Sequence, residues 1–315
     1  MVAFMVRRLL ETLIVLVIVS FVAFSLLHLT PGDPARVILG DSATQAQIDA
    51  LRQELWLDQP LWVQYAHWAG NFMRGDLGTS IFYRDSVTTL IATRLPATFY
   101  LGLVAFLISV AVGIPAGVIC AVRRGGWLDS VITVSANLAM AVPIFWLGIL
   151  CIYLFALTLG WLPVQGYTSP FDNLELSLRQ LLMPAACLAI VPLASITRQT
   201  RSSMLEVIRQ DYIRTARAKG LSDWGVIAGH ALKNALVPVV TLLGMDLRNL
   251  VGGSVLVEQV FNIPGMGRLM VSGIFDRDYV IVQGIVMVVG AVVVLANLLV
   301  DISYGYIDPR IRFDE

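Results

Sequence analysis

Charge is scarce in this sequence: Asp, Glu, Lys and Arg make up 14% of it, against 57% hydrophobic residues. With a mean hydropathy of +0.77 and several apolar runs long enough to cross about 30 Å of hydrocarbon, this balance excludes a soluble domain and points to a polytopic membrane protein. Basic and acidic residues number 22 each. Zero net charge argues against a nucleic-acid partner and against an acidic substrate, so the charge information lies in its placement along the chain. Lysine is rarer still. Lys219 and Lys233 are the only two, followed by Gly220 and Asn234, so the phosphate-binding pattern GxxxxGK[ST] cannot be written anywhere and ATP hydrolysis by this chain alone is not expected. His28, His67 and His230 are scattered, and Cys120, Cys151 and Cys187 stand singly without CxxC spacing. They read as loop histidines and buried small hydrophobes, not as a metal or redox site. HExxH and GxSxG are missing, and no nucleophile or carboxylate pair can be assembled, so the chain reads as non-catalytic.

Six apolar runs predict six spans: Leu13 to Leu29, Ala97 to Val122, Ser135 to Leu159, Leu181 to Ile196, Ala235 to Val257 and Tyr279 to Ile302. The first follows Arg7 and Arg8 as a signal peptide would. It is long for a signal, and its small-x-small triplet Ala23-Phe24-Ser25 lies inside the apolar run, so it is expected to be retained. With six spans, Arg7-Arg8, Arg123-Arg124, the basic residues of the segment from Arg198 to Lys233, and Arg310 with Arg312 all fall on one side. The positive-inside rule makes that side the cytoplasm and puts both termini there. The opposite side receives Thr30 to Pro96, with five basic and seven acidic residues. Thr44 and Gln47 form a candidate capping box there, ahead of Ile48, Leu51 and Leu55 on one helical face. Pro60 suits the first turn of a second helix carrying Leu61, Tyr65, Trp68 and Phe72, which Gly75-Asp76-Leu77-Gly78 ends. This segment reads as a cap on the outer ends of the spans or as a receiving surface for an external partner.

The segment from Arg198 to Lys233 holds seven basic residues (Arg198, Arg201, Arg209, Arg214, Arg217, Lys219, Lys233) and three acidic ones (Glu206, Asp211, Asp223). It reads as helix, turn, helix. Leu205, Ile208, Tyr212 and Thr215 recur at helical spacing, Gly220 can take the left-handed conformation that ends a helix, and Ser222 or Asp223 can cap the next. Spacing alone fits a docking surface, an amphipathic connector or a helix resting on anionic lipid. In the fifth span Asp246 and Arg248 are deep enough that an ionised side chain costs roughly 3 kcal/mol on insertion scales, so they should face protein or water. Neutralisation by another helix and a polar patch in a translocation path both fit them. Glu258, ahead of the Pro264-Gly265 break, reads as an interfacial turn or part of a gate.

Across nearly its whole length the chain resembles the inner-membrane permease subunits of ATP-binding-cassette importers for dipeptides and oligopeptides, specifically the B-type subunit of the peptide/nickel family. The stretches that carry the resemblance are Leu26-Leu27-His28-Leu29-Thr30-Pro31-Gly32-Asp33-Pro34-Ala35, Gly75-Asp76-Leu77-Gly78-Thr79-Ser80, the basic segment, Gly252-Gly253-Ser254 through Glu258 and Phe261 to Pro264-Gly265-Met266-Gly267, and Asp308-Pro309-Arg310. The resemblance implies an all-α, type I importer permease fold with six transmembrane helices. Its parts would be an N-terminal tail and first span (1–30), an external helical segment (31–96), a permease core (97–305) with a cytoplasmic coupling loop (198–233), and a cytoplasmic tail (306–315).

It also implies partners: a second, similar permease subunit, two ATPase subunits carrying ATP and magnesium, an extracytoplasmic solute-binding protein, and the lipid of the inner membrane. Contact with the ATPases would fall on Arg214, Thr215, Ala216, Arg217, Lys219, Gly220, Leu221, Ser222 and Asp223. The sequence departs from the family's coupling motif there: Arg214 stands where the motif has Glu, Thr215 where it has Ala, and of its later Ile-x-Leu-Pro only Leu232 agrees. Candidates for the path or gate are Asp246, Arg248, Asn249, Glu258, Pro264 and Gly265. Peptides are the implied substrate, with nickel chelates, glutathione and sugars as alternatives within the family. The competing class is an autonomous ion-coupled transporter using Asp246 and Glu258.

Overall fold

The computed structural model describes residues 2–29, 33–40, 43–247, 252 and 254–307. Among these the chain is helical, the one β element being an isolated bridge between Thr79 and Ser86. The helices are α1 (Val2–Leu29), α2 (Pro34–Leu39), α3 (Gln45–Glu54), α4 (Leu61–Met73), α5 (Val87–Val122), α6 (Trp127–Ala141), α7 (Ile144–Cys151, continued by a π-helical stretch Ile152–Thr158), α8 (Leu174–Val207), α9 (Asp211–Ala218), α10 (Asp223–Val226, continued by π-helical Ile227–Ala231), α11 (Leu232–Leu247), α12 (Val255–Val260), α13 (Met266–Phe275) and α14 (Tyr279–Ile307).

Five stretches are long and apolar enough to cross a membrane: Val6–His28, Val87–Val122, Leu174–Val207, Asp223–Asp246 and Tyr279–Val300. A sixth exists only as a broken pair, Trp127–Ala141 and Ile144–Thr158, bent by 108°. The span expected from Ser135 to Leu159 is thus broken partway along. Pro143 lacks an N–H and forces its predecessor out of helical geometry, and Val142 accordingly sits at φ −88°, ψ 128°. The fifth span also differs. It starts earlier than Ala235, and its helix is described as far as Leu247. Arg248 and Asn249 lie outside the described residues, as do Pro31, Gly32, Gly253 and the Asp308-Pro309-Arg310 stretch. α5 and α8 have 36 and 34 residues. At 1.5 Å per residue each is over 50 Å long, so both project well past a hydrocarbon layer of about 30 Å.

The chain divides into two compact units, Met1–Thr98 with Pro264–Glu315, and Phe99–Ile263. In the first, α1 and α14 pack together, and a core of Val87, Ile91, Met266, Leu269, Ile281 and Ile285 joins the start of α5 to α13 and α14. The glycine-rich stretch after α4 closes onto this core. Gly78 has φ 84°, and a Cβ there would stand 2.9 Å from the Val280 side chain. The buried Asp278 carboxylate accepts hydrogen bonds from Ser80 Oγ (2.6 Å), Phe82 N (3.2 Å) and Ile281 N (3.3 Å), so the turn between α13 and α14 holds the whole loop. The Thr44–Gln47 capping box is formed as expected. α4 starts just after Pro60 and lays Tyr65 and Trp68 on Phe24 of α1.

Candidate functional site

In the second unit the inter-span basic segment forms a small, firmly seated platform. α8 continues to Val207, residues 208–210 turn the chain, and α9 follows. The single helix expected through Leu205, Ile208, Tyr212 and Thr215 is therefore split. Gln210 at φ −71°, ψ 149° starts α9 in a new direction, and the residues that turn inward are Ile213 and Ala216. They pack with Ala121 of α5, Met204 of α8, and Val226, Ala231 and Ala235. Gly220, at φ 78°, reverses the chain, and Ser222 Oγ accepts from Gly225 N to cap α10. The second helix is not separate. It forms the first turns of the apolar helix Asp223–Asp246.

Of the nine residues expected at an ATPase contact, Ala216 is buried and the other eight are exposed. Arg214 pairs with Asp211 at 3.4 Å and Arg217 with Asp223 at 3.9 Å, all four side chains well exposed, so these pairs add little stability and leave the charges available. Sequence reasoning named Leu221 for this surface but passed over its two aromatic residues. Tyr212 is 42% exposed, Leu221 45% and Trp224 74%, giving a patch of the composition that supplies binding hot spots. Tyr212 and Trp224, interleaved with the basic residues of the segment, were the available signal.

Arg201 is withdrawn from the docking surface. Its Nε and Nη2 donate to the two oxygens of Asp129 at 2.7 and 2.9 Å, Gly125 N adds a third bond at 3.0 Å, and Thr133 Oγ1 a weak fourth at 3.4 Å. Asp129 is 5% exposed. A forked, nearly buried pair thus ties the turn after α5 to the end of α8 just before α9. Nearby, α5 and α8 touch backbone to backbone. Gly113 O accepts from Thr197 Oγ1, and a Cβ on Gly117 would lie 2.5 Å from Thr200 Cβ and 2.6 Å from Thr197 O. Gly113 and Gly117 form a GxxxG spacing, which was readable in the sequence.

Asp246 lies in α11, half-buried, and its Oδ2 has no hydrogen-bond partner among the described residues. Glu258 is fully buried in α12 and accepts from Ser254 Oγ at 2.6 Å. α12 packs on α7, where Phe261 and Val260 approach Gly148 so closely that a Cβ would meet them at 3.1 and 3.2 Å. Pro264 and Gly265 belong to the first unit, where buried Gly265 precedes α13 and Thr98 Oγ1 accepts from Met266 N at 2.8 Å. The cysteines are not all isolated: Cys151 and Cys187 Sγ are 3.9 Å apart across α7 and α8, both as free thiols. No group of three or more metal-binding side chains occurs among the described residues.

A chain that is helical among the described residues, with five or six candidate spans and an exposed basic and aromatic platform between two of them, defines a multi-span membrane protein. Residues 1–102 match the family described as binding-protein-dependent transport system membrane component, N-terminal, and residues 113–313 match the binding-protein-dependent transport system inner membrane component. The chain belongs to this family of inner-membrane permease components. It is 44% identical over 310 residues to a probable peptide ABC transporter permease protein, y4tP, of Sinorhizobium fredii, covering 98% of this chain and 99% of that one. It is 40% identical over 333 residues to the dipeptide transport system permease protein DppB of Alkalihalophilus pseudofirmus, covering 99% and 100%. An inward-facing structure of the methionine ABC transporter MetNI superposes with a TM-score of 0.55 at 18% identity, over 70% of this chain and 96% of that one. That likeness bears on the fold and supports the type I permease architecture.

Proposed function

We propose that this chain forms half of the translocation pathway of an ATP-driven peptide importer of the inner membrane, with both termini in the cytoplasm. A second, similar permease supplies the other half, a solute-binding protein delivers the peptide, and two ATPase subunits holding ATP and magnesium drive the cycle. The chain itself makes no covalent bond. The observation that carries this reading is the seating of α9: its inner side, Ile213 and Ala216, is buried against the ends of α5, α8 and the α10–α11 helix, while its outer side is basic and aromatic. A helix so fixed moves as one piece with the span ends when a partner pushes on it. Peptide as cargo rests on the relatives named for peptide and dipeptide transport.

Three substitutions test the turn at Gly220 and the seating of α9. Gly220 at φ 78° has open space around its missing Cβ, so replacement meets only backbone strain, about 1–2 kcal/mol for a residue that resists the left-handed region. Gly220→Asn is expected to retain transport, because Asn tolerates that region, while Gly220→Val lowers peptide-stimulated ATP hydrolysis severalfold. Ile213→Asp, which buries a carboxylate at a fully buried position, is expected to abolish the stimulation. Wild-type stimulation in both Ile213→Asp and Gly220→Val, measured on the reconstituted complex, would remove α9 as the coupling element.

The function is tested in vesicles containing both permeases and the ATPases, with the binding protein outside. Peptide is expected to stimulate ATP hydrolysis and to accumulate inside. Asp246→Ala is expected to cut uptake at least severalfold with the complex still assembled, since a half-buried carboxylate with one oxygen unpaired among the described residues is better explained by a wet path than by packing. Uptake driven by an ion gradient without ATPases would overturn the importer reading. Stimulation by a nickel chelate, glutathione or a sugar, and not by peptide, would overturn the cargo. Normal uptake by Asp246→Ala would remove that residue from the path.

A further inference from the structure

We infer that α4 is a membrane-interfacial helix whose outer face lies in the bilayer, not a water-covered cap. Its thirteen residues, Leu61–Met73, contain no charged side chain. At 100° per residue they sort into three sides. Gln64, Tyr65, Trp68 and Phe72 form one side, buried or half-buried. On this side Tyr65 meets the rings of Phe21 and Phe24 at 5.7 and 5.5 Å and shares a 2.7 Å hydrogen bond with Ser20. Gln64 bonds His28 at 2.9 Å. His67 and Asn71 form a polar edge and help to line a cavity of about 300 Å³ with Trp56, Asp76 and Gln283. The remaining side is Trp62, Ala66, Ala69 and Met73 at intervals of four, three and four residues, wholly apolar, with Trp62 74% and Met73 82% exposed.

Depth selects the occupant of that side. Ser20, Phe21 and Phe24 lie inside the membrane-spanning stretch Val6–His28, and His28 stands eight helical positions beyond Ser20, about 12 Å of rise. A helix resting on Ser20 and Phe24 is therefore below the level at which α1 leaves the hydrocarbon. Phe21, which Tyr65 touches, is itself 57% exposed among the outward residues of α1, so the apolar side of α4 continues the lipid-facing surface of that span. Thirteen residues are too few to cross. An uncharged helix with a buried side, an apolar side and a polar edge suits the boundary between acyl chains and headgroups. α3, by contrast, carries Asp49 and Arg52 and is the water-facing part of the same segment.

Spin labels test this in the reconstituted complex, in vesicles of phosphatidylethanolamine and phosphatidylglycerol, with Cys120, Cys151 and Cys187 replaced by alanine. Labels at Ala66→Cys and Met73→Cys are compared with Ile18→Cys on the exposed side of α1 and Ala50→Cys on the exposed side of α3. Relaxation by oxygen, which concentrates in the bilayer, is expected to exceed relaxation by a water-soluble nickel chelate at positions 66 and 73. The oxygen-to-nickel ratio should be severalfold above that of Ala50→Cys and approach that of Ile18→Cys. A ratio matching Ala50→Cys would overturn the proposal in favour of a water-facing cap. Protection from both reagents would overturn it in favour of burial against another protein chain.

Discussion

Replacing Gly117 with valine is expected to leave little assembled permease in the membrane. The Cβ alone would stand 2.5 Å from Thr200 Cβ and 2.6 Å from the Thr197 carbonyl oxygen, and neither can yield, one being a branch point and the other backbone. α5 and α8 must then separate, which breaks the Thr197–Gly113 hydrogen bond and strips dispersion contacts along both helices. Overpacking a core costs about 1–3 kcal/mol where side chains can move aside, and a backbone clash belongs at or above the top of that range. Apolar helices gain little from burial against one another in lipid, so close packing carries more of their association than it would in water. The expected order of damage is Gly113→Ala, then Gly117→Ala, then Gly117→Val, since a Cβ at Gly113 would meet Ile196 Cγ2 at 3.0 Å and Ile196 Cβ and the Leu193 carbonyl at 3.1 Å, each farther than the 2.5 and 2.6 Å at Gly117. Adding Thr200→Gly to Gly117→Ala should recover part of the loss and no more, because the Thr197 carbonyl remains. Thermal unfolding of the purified complex and its yield read the series. A Gly117→Val complex with wild-type yield and midpoint would show that the two helices do not meet as described.

That contact separates what the sequence makes readable from what it hides. Local signals were legible: the Thr44–Gln47 capping box, the turn at Gly220 and the Ser222 cap are interactions within a few residues, and all three are formed. Apolar runs located the spans but not their ends, because hydropathy marks the hydrocarbon, whereas α5 and α8 continue wherever packing rewards them. Leu90 and Ile91, ahead of the predicted start at Ala97, are held by the core of the first unit. The bend at Pro143 and the Gly113–Gly117 spacing were present in the letters. Each is ambiguous until a neighbour is known, since proline also occurs in unbroken helices, as at Pro184 and Pro192 in α8. Pairings between distant residues were not readable at all. Cys151 and Cys187 are 36 positions apart and Asp129 and Arg201 are 72, and with a single sequence nothing associates them. The charges read off the basic segment therefore include Arg201, which the fold pairs inward with Asp129, and leave out the exposed Trp224.

Asp129→Ala and Arg201→Ala are each expected to destabilise the complex and to uncouple it. The carboxylate is almost fully enclosed and takes both arms of the guanidinium, together with the amide of Gly125 at the turn after α5. Removing either partner strands the other's charge where water reaches it poorly. Breaking a buried pair costs about 3–5 kcal/mol, and because the Arg201 side chain is 32% exposed a figure near the bottom of that range, about 3 kcal/mol, is appropriate. The two variants differ in detail. Asp129→Ala also orphans Gly125 N and so should cost more than Arg201→Ala, while Asp129→Asn keeps an acceptor for that amide and should cost less than Asp129→Ala. Arg201→Lys retains charge but not the fork and should fall between wild type and Arg201→Ala. The pair stands six residues before the end of α8, where the chain turns into α9, so a stiff connection here transmits force between the α9 platform and the spans. Peptide-stimulated ATP hydrolysis should then fall further than basal hydrolysis in Arg201→Lys, the variant most certain to assemble. If the single alanine variants keep the wild-type thermal midpoint, the pair is not the buried brace described. If Arg201→Lys loses basal and stimulated hydrolysis in the same proportion, the brace stabilises the fold without carrying force, and transmission must run through the apolar contacts of Ile213 and Ala216 instead.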